Sequence, residues 1–223
     1  MPQLDAIENL PETKFLVERL GSPTLAQLVV HLHRELPSAW AFTGSVAMNI
    51  HAAHIDGCKI RDFQDADIQI DDTAFASFER KQVTAGSDAL FTRPPRDDSG
   101  DFHYGFNGMP IDFVKDKRGT LPALSERQMI AGIPVLSLAA LKQRKEADCN
   151  HGLDEARAAK ARRDVPLLQA LITRSQQAQA ASTAAAANPE PAAPGAKRKR
   201  DDVAAPELTQ PTGARGRGVL ERR

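Results

Sequence analysis

The sequence predicts an α+β fold in which a small mixed or antiparallel sheet is flanked by helices. A strand with strict alternation of polar and apolar residues covers Asp65–Ile70. A hairpin follows, because DFHYGF and MPIDFVKD are joined by Asn107-Gly108, a dipeptide that is typical of two-residue hairpin turns. Segments with apolar residues at helical spacing lie before and after these strands. The 223 residues suffice for one domain with a sizeable core and a tail.

Residues 1–37 are predicted to form helices. A short helix is expected over 3–9, and a second begins at Pro11 in PETKFLVERL and ends at a glycine. Ser22-Pro23 is a typical N-cap and first-turn pair, and the apolar residues of LAQLVVHLHREL continue at helical spacing. Pro37 ends this helix.

Residues 38–116 form the predicted core, which begins with AWAFTG as a short buried strand. Gly44-Ser45 is the turn into a helix over Ser45–His54. After the Asp65–Ile70 strand, Asp71-Asp72-Thr73 caps a helix over AFASFERKQV. DALFTR is a further predicted strand, and the hairpin completes the core.

Residues 117–173 are predicted to be the C-terminal helical part, and 174–223 a disordered tail rich in Ala and Pro. The segment 117–173 begins with KRGTLPALSERQMIAG, which has no clear period, and continues with IPVLS, a short apolar strand. Helical patterns follow in LAALKQRKEAD and EARAAKARRDVPLLQALITR. The tail has no aromatic residue and buries too little apolar surface to offset its ordering entropy.

Composition excludes several classes of protein. No apolar run reaches the roughly 18 residues of a membrane span, and the acidic N-terminus does not resemble a secretory signal. Two distant cysteines indicate neither a disulfide framework nor a zinc site, so a cytoplasmic location is expected.

The zero net charge divides into a net −4 before residue 174 and a net +4 in the tail. Lys197-Arg198-Lys199-Arg200 resembles a nuclear localisation signal for a eukaryotic host, and the Arg-Gly stretch that begins at Gly213 suits nonspecific contact with nucleic acid. The alternative for both is a solvated charge run. No contact with a membrane is expected.

Three aspartates are the candidate catalytic and metal-binding residues. Asp65 and Asp67 are two residues apart on a strand, so their carboxylates point to the same face. Asp112 lies on the second hairpin strand and joins them if that strand is adjacent. Such oxygen ligands favour Mg²⁺, and two ions can stabilise both oxygens of a phosphoryl displacement. Gly44 and Ser45 offer N–H groups and a hydroxyl to the terminal phosphates of an NTP.

This order of motifs resembles the nucleotidyltransferases of the DNA polymerase β superfamily over about residues 38–172. Gly44-Ser45 matches the family's Gly-Gly/Ser step, Asp65-Ala66-Asp67-Ile68 its Asp-x-Asp-hydrophobic step, and Asp112 its third acid. The resemblance is greatest to small bacterial branches that include abortive-infection toxins and aminoglycoside nucleotidyltransferases. It implies a nucleotidyltransferase fold and transfer of an NMP from an NTP to RNA, a protein or a small molecule, in a toxin or a delivered effector.

The resemblance also implies nucleotide-binding roles for Arg61 and for Lys142 on the helix after IPVLS. Arg163-Asp164 is similar to the family's Lys/Arg-Asp pair. Phe63 departs from the family, which usually has Ser or Thr there. The alternative to an enzyme is an inactive binding module with this fold, directed to its target by the basic tail.

Overall fold

The computed structural model describes residues 10–36, 39–85, 90–92, 102–114, 123–150 and 155–187. All of them belong to one compact unit, Met1–Ala187. The helix predicted over 3–9 and the tail motifs, including Lys197–Arg200, lie outside the described residues.

Two helices open the described chain, α1 at Pro11–Leu20 and α2 at Pro23–Glu35. The Ser22 hydroxyl accepts a hydrogen bond from the Leu25 N–H at 3.2 Å, which confirms the predicted N-cap. Gly21 ends α1 with φ at +66°, a left-handed conformation that suits glycine.

A six-stranded mixed sheet forms the centre of the molecule, in the order β3-β4-β2-β1-β6-β5. Strands β1, β2 and β4 come from the predicted core, whereas β5 and β6 come from the segment 117–173. Strand β6 lies within IPVLS, which the sequence predicts to be a strand, and β5 lies in a stretch without a clear period. Strand β1 pairs antiparallel with β2 and parallel with β6, and β2 pairs parallel with β4. The strands are β1 Trp40–Phe42, β2 Ala66–Ile70, β3 Phe102–Phe106, β4 Met109–Val114, β5 Arg127–Ile130 and β6 Ile133–Leu136.

Four more helices flank the sheet: α3 Gly44–Asp56, α4 Asp72–Ala85, α5 Leu138–Asn150 and α6 Glu155–Ala187. Helix α3 is buried along most of its length and contacts both α5 and α6. Asp71 caps α4 as predicted, because its Oδ1 accepts the N–H groups of Thr73 and Ala74. Among the described residues, no helix is both long enough and apolar enough to cross a bilayer.

Aromatic packing covers one face of the hairpin side of the sheet. Phe75 and Phe78 of α4 lie against Phe113 of β4, with ring centroids 5.5 and 5.1 Å apart. Ile68 of β2 is also fully buried. Because neighbouring side chains on a strand alternate between faces, the residues between these apolar positions point to the opposite face. That second face carries the candidate site.

The structure confirms the α+β class and corrects some of the predicted elements. DALFTR contributes to the described residues only a single β-bridge, between Thr92 and Gly105. The irregular segment before IPVLS contains strand β5. Helix α6 includes Pro166 and continues to Ala187, so the stretch 174–187, which the sequence places in a disordered tail, is helical.

Candidate active site

The carboxylates of the two strands lie side by side. In the parallel pairing of β2 with β4, Asp67 is in register with Asp112, so both side chains project from the same face of the sheet. Asp65 directly precedes β2, two residues before Asp67, and is half-buried. The predicted adjacency of the Asp-x-Asp strand and the second hairpin strand is therefore present.

The Gly-Ser turn touches this carboxylate pair. Gly44 has φ at +61°, and a Cβ atom placed on it would lie 1.9 Å from Asp67 Oδ2. The Thr43 N–H donates to the Asp67 carbonyl oxygen at 3.0 Å. A residue with a side chain at position 44 would therefore displace the carboxylate, and the absence of a Cβ lets the backbone at the start of α3 approach Asp67 closely.

The N-terminus of α3 lies at the same place. The first N–H groups of an α-helix have no acceptor within the helix, and they give its N-terminus a partial positive charge. The Thr43 side chain does not cap them. Its hydroxyl instead accepts a hydrogen bond from Arg144 Nη1 of α5 at 2.7 Å. The start of α3 thus combines backbone donors and a guanidinium beside the aspartates.

Charges of both signs act on the pKa of the Asp67 carboxyl group. Burial raises the pKa of Asp67 above its usual range, and the nearby carboxylates of Asp65 and Asp112 raise it further. The positive charges of Arg144 and Lys145 oppose that rise. Crowded carboxylates that disfavour each other's ionised form are stabilised by a bound cation.

Arg61, to which the resemblance gives a nucleotide-binding role, lies beside Ser45. Its Nη2 donates to the Ser45 hydroxyl oxygen at 2.9 Å. The same guanidinium forms a two-point ion pair with Asp164 of α6, at 2.5 Å from Nη1 to Oδ1 and 3.3 Å from Nη2 to Oδ2. Such a pair fixes the plane of the guanidinium as well as its position.

A second cation completes this network. Lys145 Nζ of α5 lies 3.2 Å from Asp164 Oδ2, and the Asp164 side chain is fully buried. Burial alone would raise the pKa of Asp164, but hydrogen bonds and charges from Arg61 and Lys145 hold it below its ordinary value. Lys142, the predicted phosphate ligand, pairs with Glu146 one turn along α5, at 2.8 Å.

The third acid has a histidine partner. His103 lies opposite Asp112 in the β3–β4 hairpin, and its Nδ1 is 2.5 Å from Asp112 Oδ1. Next to this pair is an open cavity of about 530 Å³, lined by Thr92, His103, Tyr104, Gly105, Gly108, Met109, Pro110 and Asp112. The cavity extends from Asp112 along the hairpin, away from β2.

The donor chemistry of the site fits a magnesium ion. Asp65, Asp67 and Asp112 supply carboxylate oxygens on one face, and these are the ligands that hard divalent ions prefer. As the side chains are placed, no three His, Cys, Asp or Glu residues in the described part of the chain form a group that could hold a metal. One Asp112 oxygen is bonded to His103.

Sequence reasoning missed three residues of the site: His103, Arg144 and Lys145. A signal existed for His103, because a two-residue turn at Asn107-Gly108 sets a register that pairs it with Asp112. The two α5 cations had no comparable signal, since their position depends on how α5 packs against α3 and α6.

No protein-family model matches the chain, and no curated protein matches it in sequence. Solved structures with a similar fold include the antibiotic-resistance factor ANT(2'')-Ia, which is 17% identical with a TM-score of 0.36 over 72% of this chain and 97% of that one. A Thermotoga maritima protein assigned as a nucleotidyltransferase is 19% identical, with a TM-score of 0.41 over 64% and 92% of the two chains.

The Megavirus polyadenylate synthase is 12% identical, with a TM-score of 0.41 over 70% of this chain and 35% of that one. These similarities are too low to identify a family or an activity for this chain.

Proposed function

We propose that this chain is a Mg²⁺-dependent nucleotidyltransferase, which moves a nucleoside monophosphate from an NTP to an acceptor hydroxyl. The observation that carries the proposal is the contact of a helix N-terminus with a carboxylate pair. Gly44 lies against Asp67, and Asp67 is in register with Asp112. Donors for a triphosphate and oxygen ligands for its metal are therefore adjacent in one site.

The phosphate side of the site is built from α3 and its neighbours. The N–H groups of Gly44 and Ser45 bind the terminal phosphates at the helix N-terminus. Arg61 lies beside Ser45, and Arg144 lies beside Thr43, so both guanidinium groups neutralise phosphate charge. Lys142, the phosphate ligand that the resemblance implies, joins these cations if a phosphate takes the place of Glu146 as its partner.

The acceptor side of the site is built from β4 and its cavity. The acceptor oxygen attacks the α-phosphorus, the bond from that phosphorus to the β-phosphate oxygen breaks, and pyrophosphate leaves. Asp112 orients the acceptor hydroxyl and takes its proton, as a general base within hydrogen-bond reach. The cavity beside Asp112 gives the acceptor a place to bind.

Asp65, Asp67 and Asp112 are the residues that would hold Mg²⁺. When bound, the metal ions supply neutralisation of the phosphate charge that builds up in the displacement. The protein's part is to keep three carboxylates on adjacent strands, next to the donors at Gly44.

The acceptor class remains RNA, a protein side chain or a small molecule, and a toxic role is part of the proposal. A screen of the four NTPs, labelled at the α-phosphate, against total RNA, cell lysate and small molecules identifies the acceptor. If the chain is a toxin, its expression arrests growth and Asp112→Asn relieves the arrest. Unchanged toxicity of that variant would separate the growth effect from nucleotidyl transfer.

The enzymatic proposal is tested by Asp67→Asn, with Asp62→Asn as the matched control. Asp62 is exposed and pairs with Lys59, outside the carboxylate group. We expect label transfer in Mg²⁺ to fall by at least 100-fold for Asp67→Asn and to stay near the wild-type rate for Asp62→Asn. Equal transfer by the wild type and Asp67→Asn would refute the mechanism.

A binding module without activity is the second candidate, and the bond between His103 and Asp112 favours it. That bond occupies one oxygen of the third acid. A ligand that binds only the native state raises the unfolding temperature by mass action. An unfolding temperature that rises with NTP but not further with Mg²⁺, without label transfer, supports the module. A rise that requires both, with transfer, supports the enzyme.

A further inference from the structure

Asn49 is a fully buried polar residue on α3, outside every motif considered so far. It lies four residues after Ser45, so the two side chains share a face of the helix one turn apart. Its Oδ1 accepts two backbone hydrogen bonds, from the Ile60 N–H at 3.0 Å and from the Arg61 N–H at 3.2 Å. A single amide oxygen thus ties the segment that carries Arg61 to the helix that carries Ser45.

The backbone that Asn49 anchors includes the N–H of Arg61 itself. The Arg61 side chain reaches back to α3, where its Nη2 donates to Ser45 Oγ at 2.9 Å and contacts Met48 Sδ at 3.7 Å. Asp164 pairs with the same end of the guanidinium, through both Nη1 and Nη2. Arg61 is therefore fixed at two points, at its backbone by Asn49 and at its charged end by Asp164.

The cost of this arrangement indicates that Asn49 has a specific role. The Nδ2 group of Asn49 is buried and has no hydrogen-bond partner among the described residues. An unsatisfied buried donor is unfavourable, so an apolar residue of similar size would suit packing at this position better. What Asn49 gains in exchange is its pair of bonds to the segment that carries Arg61.

We propose that Asn49 is a positioning residue for nucleotide binding, which acts by holding Arg61 beside Ser45 at the phosphate end of the site. The proposal rests on the proposed function, since it assigns the NTP phosphates as the ligand of Arg61. Asn49 itself touches neither the phosphates nor the carboxylates. Its effect passes through the backbone of Ile60 and Arg61.

Asn49→Leu keeps the volume of the side chain and removes the acceptor, whereas Asn49→Asp keeps the acceptor oxygen. We expect Asn49→Leu to raise KM for the NTP about tenfold with a much smaller change in kcat, which corresponds to the loss of about one net hydrogen bond's free energy. Asn49→Asp should restore KM to within about threefold of the wild-type value. A residue that only packs the core would respond in the opposite order, because Leu suits a buried site better than Asp.

A double-mutant cycle with Arg61→Ala tests the route of the effect. In the Arg61→Ala background, Asn49→Leu should raise KM no further, because the group that it positions is gone. Asn49→Ala serves as a second acceptor-free variant if Asn49→Leu does not fold. Hydrogen exchange of the Ile60 and Arg61 amides checks the anchor itself, and both should lose protection only in the acceptor-free variants.

Two results overturn the proposal: a wild-type KM in a folded Asn49→Leu enzyme, or the same increase in KM with and without Arg61. If the wild type binds NTP but transfers no label, the proposed function fails. In that case the changes predicted for the Asn49 and Arg61 variants are tested with NTP dissociation constants in place of KM. A wild-type chain that binds no NTP refutes both.

Discussion

Gly44→Ala tests the central contact of the site with one methyl group. The added Cβ would lie 1.9 Å from Asp67 Oδ2 and 2.8 Å from Cγ. The atom in the way is the far end of a flexible side chain, so the carboxylate can rotate aside while the backbone stays in place. We therefore expect a variant that folds and has lost its catalytic geometry.

The magnitudes follow from two separate effects. An L-residue in the left-handed region costs about 1–2 kcal/mol, which Gly44→Ala incurs at a φ of +61°. Gly21→Ala incurs the same cost at a φ of +66°, where no atom of the described residues lies within 4 Å of the added Cβ. The Asp67 carboxylate must move by about 1 Å to leave 3.0 Å between its Oδ2 atom and the new Cβ. A misplacement of this size can reduce a rate by about 100-fold.

Gly21→Ala is thus the matched control for Gly44→Ala. Urea denaturation should show a loss of about 1–2 kcal/mol of unfolding free energy for both variants. The rate of label transfer from the NTP should fall about 100-fold for Gly44→Ala alone. If Gly44→Ala is as active as Gly21→Ala, then the carboxylate of Asp67 is not needed where the structure places it.

Three further predictions concern charged and buried polar groups. Asp164→Asn should cost about 3 kcal/mol of unfolding free energy at neutral pH. Because its folded pKa is lowered, the stability that Asp164 contributes should be lost in the wild type as the pH falls below about 4. Burial lowers the pKa of His51 to about 4. Because the unfolded chain then binds the proton more readily than the folded chain, the free energy of unfolding should fall by about 3 kcal/mol as the pH decreases from 6.5 to 4. Denaturation measured at several pH values should show that His51→Asn removes this dependence. Arg144→Met should raise KM for the NTP about tenfold in steady-state assays, because the guanidinium beside Thr43 is lost.

Much of the fold could be predicted because local signals were strong. Ser22 marks the start of α2, and the alternation in Asp65–Ile70 assigns its aspartates to one face of the sheet. The candidate acids followed from this alternation and from the hairpin that carries Asp112. Each of these signals involves residues that are close in sequence, so each could be interpreted without knowledge of the tertiary structure.

The two hairpins show where such signals end. Asn107-Gly108 and Ala131-Gly132 adopt nearly the same backbone, with φ of 48° and 80° in the first turn and 48° and 83° in the second. Asn tolerates this conformation, and Asn-Gly is typical of hairpin turns, so the sequence predicts the first turn. Ala disfavours the conformation, so the sequence does not indicate the second turn. A residue outside the hairpin contacts the second turn, because the His33 ring of α2 is hydrogen-bonded to the Gly132 carbonyl oxygen at 3.1 Å. Strand β5 was therefore missed for a tertiary reason.

Part of the cationic half of the site escaped prediction for the same kind of reason, because the sequence assigned Arg61 to the nucleotide but did not identify Arg144 or Lys145. Arg61 and Asp164 are 103 residues apart in sequence, and no local pattern connects them. Helix α5 buries only Leu138, Ala140 and Leu141, all in its first turn. Its second half has no apolar stripe to show which face points inward. Lys145 pairs with the buried Asp164 carboxylate of α6, whereas Lys142 pairs with Glu146 of its own helix. The lysine that reaches Asp164 is thus identified by a contact between two helices, which the sequence of α5 alone does not contain.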